Sequence, residues 1–305
     1  MTRRTFFRLA ACGGAATTLY SHANAQDPQA IRIGLVQGLF KDTQPALVQA
    51  LAKPLRDLVK RSTGLTGDVE LVADPLELAA KMKAGTLQLG VFHGFEFAWV
   101  RKVDEEIVPV VVSVPPAKKF QACVVVRADS PHKELADLKE ECVVVPRATK
   151  GHCTLYFDTL RARLPATTAK PHTKPAMTSE EALDAVVNGD QCAALVDASA
   201  LLGYTNLQPG AAKLLRPICE SEVFPPTVLA YRKGMLNEGT VESLRKLLTE
   251  ANQTAAGKPL LMLWNLKGFE PAPADYDEQL AKSLKNYPMP KEANPIRTVG
   301  RSGDK

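Results

Sequence analysis

The sequence predicts an α/β protein of two similar lobes, joined where the chain crosses between them twice. Three observations predict it. Strand–loop–helix units alternate along the chain, the order that builds layered α/β folds. One plan then occurs twice, as helix, glycine, short turn and buried strand: residues 78–91 read LAAKMKAGTLQLGV and residues 182–195 read ALDAVVNGDQCAAL. Finally, two strand pairs flank proline dipeptides. Pro115-Pro116 separates 107–114 from 120–127, and Pro225-Pro226 separates 214–219 from 228–232. Two crossings make the first lobe discontinuous, 29–114 plus 226–290, around a second lobe at 119–222.

The elements follow in order. Residues 31–36 alternate and then run apolar, as a strand does. A loop with Gly38, Asp42 and Thr43 leads to 45–62, where Leu47, Leu51, Leu55 and Leu58 fall at helical spacing. Pro54 predicts a kink there, or a helix that begins at it. Residues 69–72 read as a strand, 75–84 as a helix stopped by Gly85, and 87–92 as a third strand. In the second half, 141–145 is a strand, 146–152 a loop and 154–163 a helix. Residues 179–188 form a helix stopped by Gly189, and 192–196 a strand. Thr178-Ser179-Glu180-Glu181 has the form of a capping box, which assigns Thr178 and Glu181 to the helix end and leaves Glu180 to face solvent or cleft.

The N-terminus reads as an export signal. Thr2-Arg3-Arg4-Thr5-Phe6-Phe7-Arg8 resembles the twin-arginine motif, a mildly apolar stretch follows, and Ala23-Asn24-Ala25 places small residues where a signal peptidase reads. Cleavage after Ala25 is expected. Leu9-Ala10-Ala11-Cys12 also has the look of a lipoprotein box, but almost no apolar run precedes Cys12. The formal charge of the 305 residues is +5. Loss of Arg3, Arg4 and Arg8 with the leader brings it to +2, so nothing favours a nucleic-acid partner. No stretch approaches about 18 uninterrupted apolar residues, and 291–305 reads as a loose polar tail. Of the five cysteines beyond the leader (Cys123, Cys142, Cys153, Cys192 and Cys219), none form a CxxC pair, so zinc and redox motifs are unsupported. An exported chain permits one disulfide among them, with the pairing left open.

Ligands of open α/β sheets bind beyond the carboxyl ends of the strands. Four loops are therefore candidates: 37–44, 92–96, 146–152 and 197–199. Thr149, Lys150 and Gly151 supply a hydroxyl, a cation and a glycine just before a helix, whose free N–H groups and dipole favour an anion. A plain turn with a solvated lysine is the competing reading. Phe92 and His93 follow the third strand as an aromatic wall and a polar ring, or as core. Asp197 ends a buried strand, at the cleft mouth or as the cap of the next helix. His152 lies beside Cys153, with no ordered catalytic arrangement around it. GxGxxG, P-loop, HExxH and GxSxG motifs are all absent, so no enzyme, metal or cofactor is indicated.

Several segments together resemble a known family, the periplasmic phosphate/phosphite/phosphonate-binding proteins of ABC importers. They are Ile31-Arg-Ile-Gly-Leu35, residues 78–92, residues 122–131 (ACVVVRADSP) with Leu135-Ala-Asp-Leu138, residues 181–194, and Pro225-Pro226 leading to Ala230-Tyr-Arg-Lys233. Trp264-Asn-Leu-Lys-Gly-Phe269 resembles that family's closing helix. The resemblance spans about 31–290. It implies a type II periplasmic-binding fold with a two-strand hinge, no catalysis, a small anionic ligand, a monomer, and an ABC permease as membrane partner. The family's anion loop reads Ser-Thr-Ser-Gly where this chain has Ala148-Thr149-Lys150-Gly151; its aromatic matches Phe92 and its acidic residue Glu180. Two hydroxyls are lost and a lysine gained, which makes Lys150 the expected source of charge for the ligand. A sensory module for a membrane receptor and an exported enzyme on the same scaffold are the alternatives.

Overall fold

The structure is a computed structural model that describes residues 30–40, 45–139 and 141–290, apart from the side chains of Pro45, Leu51 and Ser62. The expectations for the leader, for Cys12, for Asp42 and Thr43, and for the tail lie outside the described residues.

The chain opens with β1 (Ala30–Val36), α1 (Pro45–Thr63), β2 (Thr66–Val72), α2 (Pro75–Lys83), β3 (Leu89–Phe92), α3 (Gly94–Val103) and β4 (Ile107–Val114). It crosses to β5 (Ala122–Arg127), β6 (Cys142–Pro146), α4 (Gly151–Arg163), β7 (His172–Ala176), α5 (Ser179–Val187), β8 (Ala193–Asp197), α6 (Ala198–Leu207), α7 (Pro209–Ala212) and β9 (Leu215–Glu220). It returns as β10 (Val228–Arg232), α8 (Glu238–Thr249), α9 (Lys258–Leu263), β11 (Gly268–Glu270) and α10 (Tyr276–Asn286).

Two sheets result, ordered β2-β1-β3-β10-β4-β11 and β7-β6-β8-β5-β9. In each, three strands are parallel (β2, β1, β3 and β7, β6, β8). The fourth strand of each, β10 or β5, arrives from the other lobe and runs antiparallel to both neighbours. Each sheet therefore contains one strand delivered by a crossing. Parallel strands of one sheet share a direction, so the loops after β1 and β3, and those after β6 and β8, gather at one end of their lobe.

Helix α1 runs through Pro54 and does not begin there, which corrects the second of the two expectations for that residue. A proline inside a helix loses one N–H bond and costs about 3 kcal/mol. Against that, Val48, Ala52, Leu55, Leu58 and Val59 are all within 2% of full burial on the first-lobe core, and each buried aliphatic side chain contributes about 1.5–3 kcal/mol. The stretch 264–269 is not a helix either: Trp264 ends α9, Asn265 adopts φ 50, and β11 follows at once. The capping box at α5 forms with a shift. Thr178 Oγ1 accepts the Glu181 N–H at 3.1 Å, while the Glu181 carboxylate takes the N–H of Met177 at 2.6 Å.

The crossings meet at a bridge between Phe120 and Phe224, whose N–H donates to the Phe120 carbonyl at 2.8 Å. The Phe224 ring lies 4.8 Å from Tyr287, 5.4 Å from His152 and 6.2 Å from Phe95, centre to centre. Residues of both lobes thus share one apolar cluster at the hinge. The segment after α10 is tied into it, since Trp99 Nε1 donates to the Tyr287 carbonyl at 2.8 Å and Tyr287 Oη to Glu222 at 3.1 Å. Gly94 is required where the second crossing passes: a Cβ there would lie 2.0 Å from the Pro225 carbonyl oxygen.

Candidate functional site

Two adjoining cavities open between the lobes, and Lys150 borders both. The smaller, about 140 Å³, sits on the second lobe against the first residues of three helices. Thr149 and Lys150 precede α4, Ser179 begins α5, and Asp197 and Ala200 mark the start of α6. Asn265 of the first lobe reaches its rim. Three helix N-termini facing one space make a region of positive partial charge. At α4 the Cys153 and Thr154 N–H groups return to the Lys150 carbonyl at 3.0 and 3.4 Å. The N–H groups of Gly151 and His152 come ahead of these, in the first turn that no intrahelical carbonyl serves.

Lys150 is not a free cation. Its ammonium lies 2.6 Å from the Asp197 carboxylate and 5.7 Å from the centre of the Phe120 ring. Asp197 also caps α6, with Oδ1 accepting from Ala200 N–H at 2.8 Å. Burial alone would push the Asp197 carboxyl up; the Lys150 ammonium outweighs it and holds the pKa below the ordinary value. The expected charge for a ligand is thus already shared with a carboxylate. An ammonium has three donors, so Lys150 can serve a second acceptor while keeping Asp197. Thr149 is buried, and its hydroxyl donates to the Pro146 carbonyl at 2.5 Å. The hydroxyl closes the β6–α4 turn and still has a lone pair to offer.

The larger cavity, about 270 Å³, lies on the first-lobe side. His93, Ser113 and Thr227 give it polar edges, and Phe40, Trp264 and Phe269 stand among its apolar walls. His93 opens α3, and its backbone N–H donates to Glu96 at 3.0 Å. Burial drives the His93 imidazole to a pKa of about 4; the nearby Gly38 backbone opposes this and Lys150 adds to it. Burial likewise raises Glu96 to about 8, against the His93 N–H and helped by Asp74. Both groups are neutral near pH 7. His93 Nε2 and Ser113 Oγ are buried with no hydrogen-bond partner.

The structure brings His93, Thr149, Lys150, Gly151 and Asp197 together and places three other candidates elsewhere. Phe92 is fully buried in the first-lobe core, 5.9 Å from Phe97, because alternation along β3 turns it away from the side that His93 takes. His152 is a core residue wedged between Phe120 and Phe224, with its pKa lowered by burial to about 3. Its neighbour Cys153 is buried, and burial pushes the thiol well above its ordinary value, so it is not poised as a nucleophile. Glu180 is exposed on the first turn of α5, where Ser179 borders the cavity in its place. Sequence reasoning passed over Ser113, Phe120, Thr227 and Asn265. All four come from crossings or from the return segment, and only the folded chain brings them to the strand ends.

Two lobes, each receiving a strand from the other, with polar groups at the mouths of both sheets, define a two-lobe solute-binding protein. Residues 38–276 match the family model described as ABC transporter, phosphonate, periplasmic substrate-binding protein. The chain belongs to that family, and it is a substrate-binding protein of ABC importers rather than an enzyme. Solved structures share the fold at low identity. A Xanthomonas citri protein bound to chloride superposes with a TM-score of 0.62 at 16% identity, over 85% of this chain and 98% of that one. PhnD1 from Prochlorococcus marinus, in complex with methylphosphonate, gives 0.59 at 12%, over 84% and 97%. A binding protein component of an ABC phosphonate transporter from Pseudomonas aeruginosa gives 0.55 at 15%, over 84% and 86%. No curated protein matches the sequence. Among the described residues, no helix is long and apolar enough to cross a membrane.

Proposed function

We propose that this chain captures a small oxyanion of the phosphonate class between its lobes and presents the closed complex to a membrane permease. The observation that carries the reading is the cavity where α4, α5 and α6 begin, bordered by Lys150 and reached by Asn265 from the opposite lobe. Backbone N–H groups of the α4 start and one donor of Lys150 hold the anion. Closure against His93 then removes it from water. A neutral imidazole beside the site offers a hydrogen bond. The chain acts as a monomer with lobes at 29–114 plus 226–290 and at 119–222, exported under its twin-arginine leader and cleaved after Ala25. The mature protein begins at Gln26, which mass spectrometry of the exported protein reads directly; a lipid on Cys12 or an intact Met1 contradicts it.

A thermal-shift screen tests the ligand. An anion that binds only the folded state stabilises it by RT ln(1 + [L]/Kd), about 2.7 kcal/mol at 100 times Kd. Phosphate, phosphite, methylphosphonate, methanesulfonate and acetate span the head groups. The expected result is a rise in Tm with the phosphorus oxyanions. No rise with any of the five overturns the reading.

A further inference from the structure

The larger cavity is more than an anion pocket needs. At about 270 Å³ it exceeds the roughly 150 Å³ of an apolar cavity that accommodates benzene. Its walls are Phe40, Leu55, Leu248, Trp264, Leu266 and Phe269, drawn from four separate segments of the first lobe. Phe40 and Trp264 stand edge to face, 5.9 Å apart, at one side. Phosphate or methylphosphonate bound at the α4 start leaves that space unfilled.

Polar groups confine the opening to one orientation. Lys150 stands where the two cavities adjoin. His93 and Ser113, both more than nine-tenths buried, border the apolar cavity with Nε2 and Oγ lacking any hydrogen-bond partner. Buried polar atoms of that kind are uncommon in a finished fold and mark a place where a partner belongs. A pocket with apolar walls and a few convergent polar groups is the ordinary form of an organic-ligand site.

We infer that the ligand is an amphiphilic organic oxyanion: an anionic head held at Lys150 and the α4 start, and a ring-sized apolar body lodged among Phe40, Trp264, Leu266 and Phe269. The inference rests on the oxyanion reading above and narrows it from small phosphonates to those bearing an aromatic or branched hydrocarbon group. His93 and Ser113 then serve the polar atoms at the junction of head and body.

Titration calorimetry of the full chain with phosphate, methylphosphonate, butylphosphonate, benzylphosphonate and the neutral benzyl alcohol tests it. Benzylphosphonate is expected to bind at least tenfold more tightly than methylphosphonate. Leu266→Trp, which fills the cavity from a half-buried position, is expected to abolish that advantage. Leu263→Trp, at a more exposed wall position, repeats the test should the first variant fold poorly. Equal or weaker binding of benzylphosphonate overturns the inference while the oxyanion reading stands. Binding of benzyl alcohol with none of the anions overturns the anionic head. Binding of none of the five overturns both.

Discussion

On the oxyanion reading proposed above, the Lys150–Asp197 pair sets how strongly an anion binds. The two charges are 2.6 Å apart and Asp197 is buried, so an anion at the α4 start meets a lysine and a carboxylate together. Lys150→Ala removes a charge-assisted donor, worth about 1.5–3 kcal/mol of anion affinity. It also strands a buried carboxylate, so calorimetry and thermal melting should report losses in parallel. Asp197→Asn separates the terms: the amide oxygen keeps the Ala200 cap while the repulsion goes. Unit charges about 4 Å apart at an effective dielectric of about 20 interact by about 4 kcal/mol, so phosphate should bind roughly tenfold or more tightly to this variant. Weaker binding would instead make Asp197 a direct contact for a donor on the ligand. The titrating groups set stability with pH. His93 and His152 have folded pKa values of about 4 and about 3 against an ordinary 6.5. Each contributes stability that is fully present above 6.5 and lost as pH falls towards the folded value. Glu96 is raised from 4.5 to about 8, so folding favours its protonated form and stability is lost as pH rises between those values. Each group acts by up to about 1.4 kcal/mol per pH unit. Below 6.5 two losses outweigh one gain, and above it only Glu96 acts, so Tm should peak near pH 6.5. Glu96→Gln should flatten the alkaline side up to pH 8; an unchanged slope there assigns the loss to another group. Of the site residues, Lys150 and Asp197 were legible as strand-end and loop residues. Their pairing was not, because it joins positions 47 apart in sequence.

At the scale of elements, legibility followed burial pattern. β1, α2, β6 and β8 stood out because each carries a one-sided or wholly apolar run beside a glycine or a cap. Helix α3 did not: residues 94–100 are buried on every side, so no 3.6-residue alternation exists to read. Strand β7 was missed for the opposite reason. His172-Thr-Lys-Pro-Ala176 is exposed but for its last residue, and Pro175 is tolerated there because β7 is an edge strand. A helix beginning at Pro54 was the wrong alternative because the punctuation rule is local, whereas the apolar face of α1 is held by the whole first-lobe core. Glycine tells a similar story. At Gly94 an added Cβ lies 2.0 Å from the Pro225 oxygen and 2.4 Å from its carbonyl carbon, both backbone. Gly94→Ala must displace the second crossing or the start of α3, and should cost about 3 kcal/mol or more. Gly203, inside α6, has nothing within 4 Å of its Cβ position. Gly203→Ala should therefore raise stability by about 0.5–1 kcal/mol. Denaturant melts of the two variants check both signs, and a Gly94→Ala protein as stable as the parent would show that the crossing yields freely.

On the scale of the whole molecule, the proposed function rests on the approach of two lobes that share a hinge cluster. The Pro-Pro crossings and the repeated helix–glycine–strand plan made the two-lobe fold readable in the sequence. The contact proposed to close it was not readable, since it joins residues from different lobes. His93 is that contact: its Nε2 lies 2.9 Å from where a Cβ on Gly151 would sit, at the first residue of α4. His93 cannot swing aside cheaply. Its ring stacks on Phe95 at 5.2 Å with 12° between planes, and it is 6% exposed. A side chain at position 151 therefore acts as a wedge between lobes, while each lobe alone has no reason to notice it. Valine at the start of a helix costs only a few tenths of a kcal/mol in propensity. Gly151→Val is thus expected to keep the parent's ligand-free Tm within a few degrees and to bind methylphosphonate at least tenfold more weakly. Small-angle scattering should show the parent contracting when the anion is added and the variant failing to contract. A variant that contracts and binds as the parent does would place the closing contact elsewhere, and His93 would then be a core histidine of the first lobe alone.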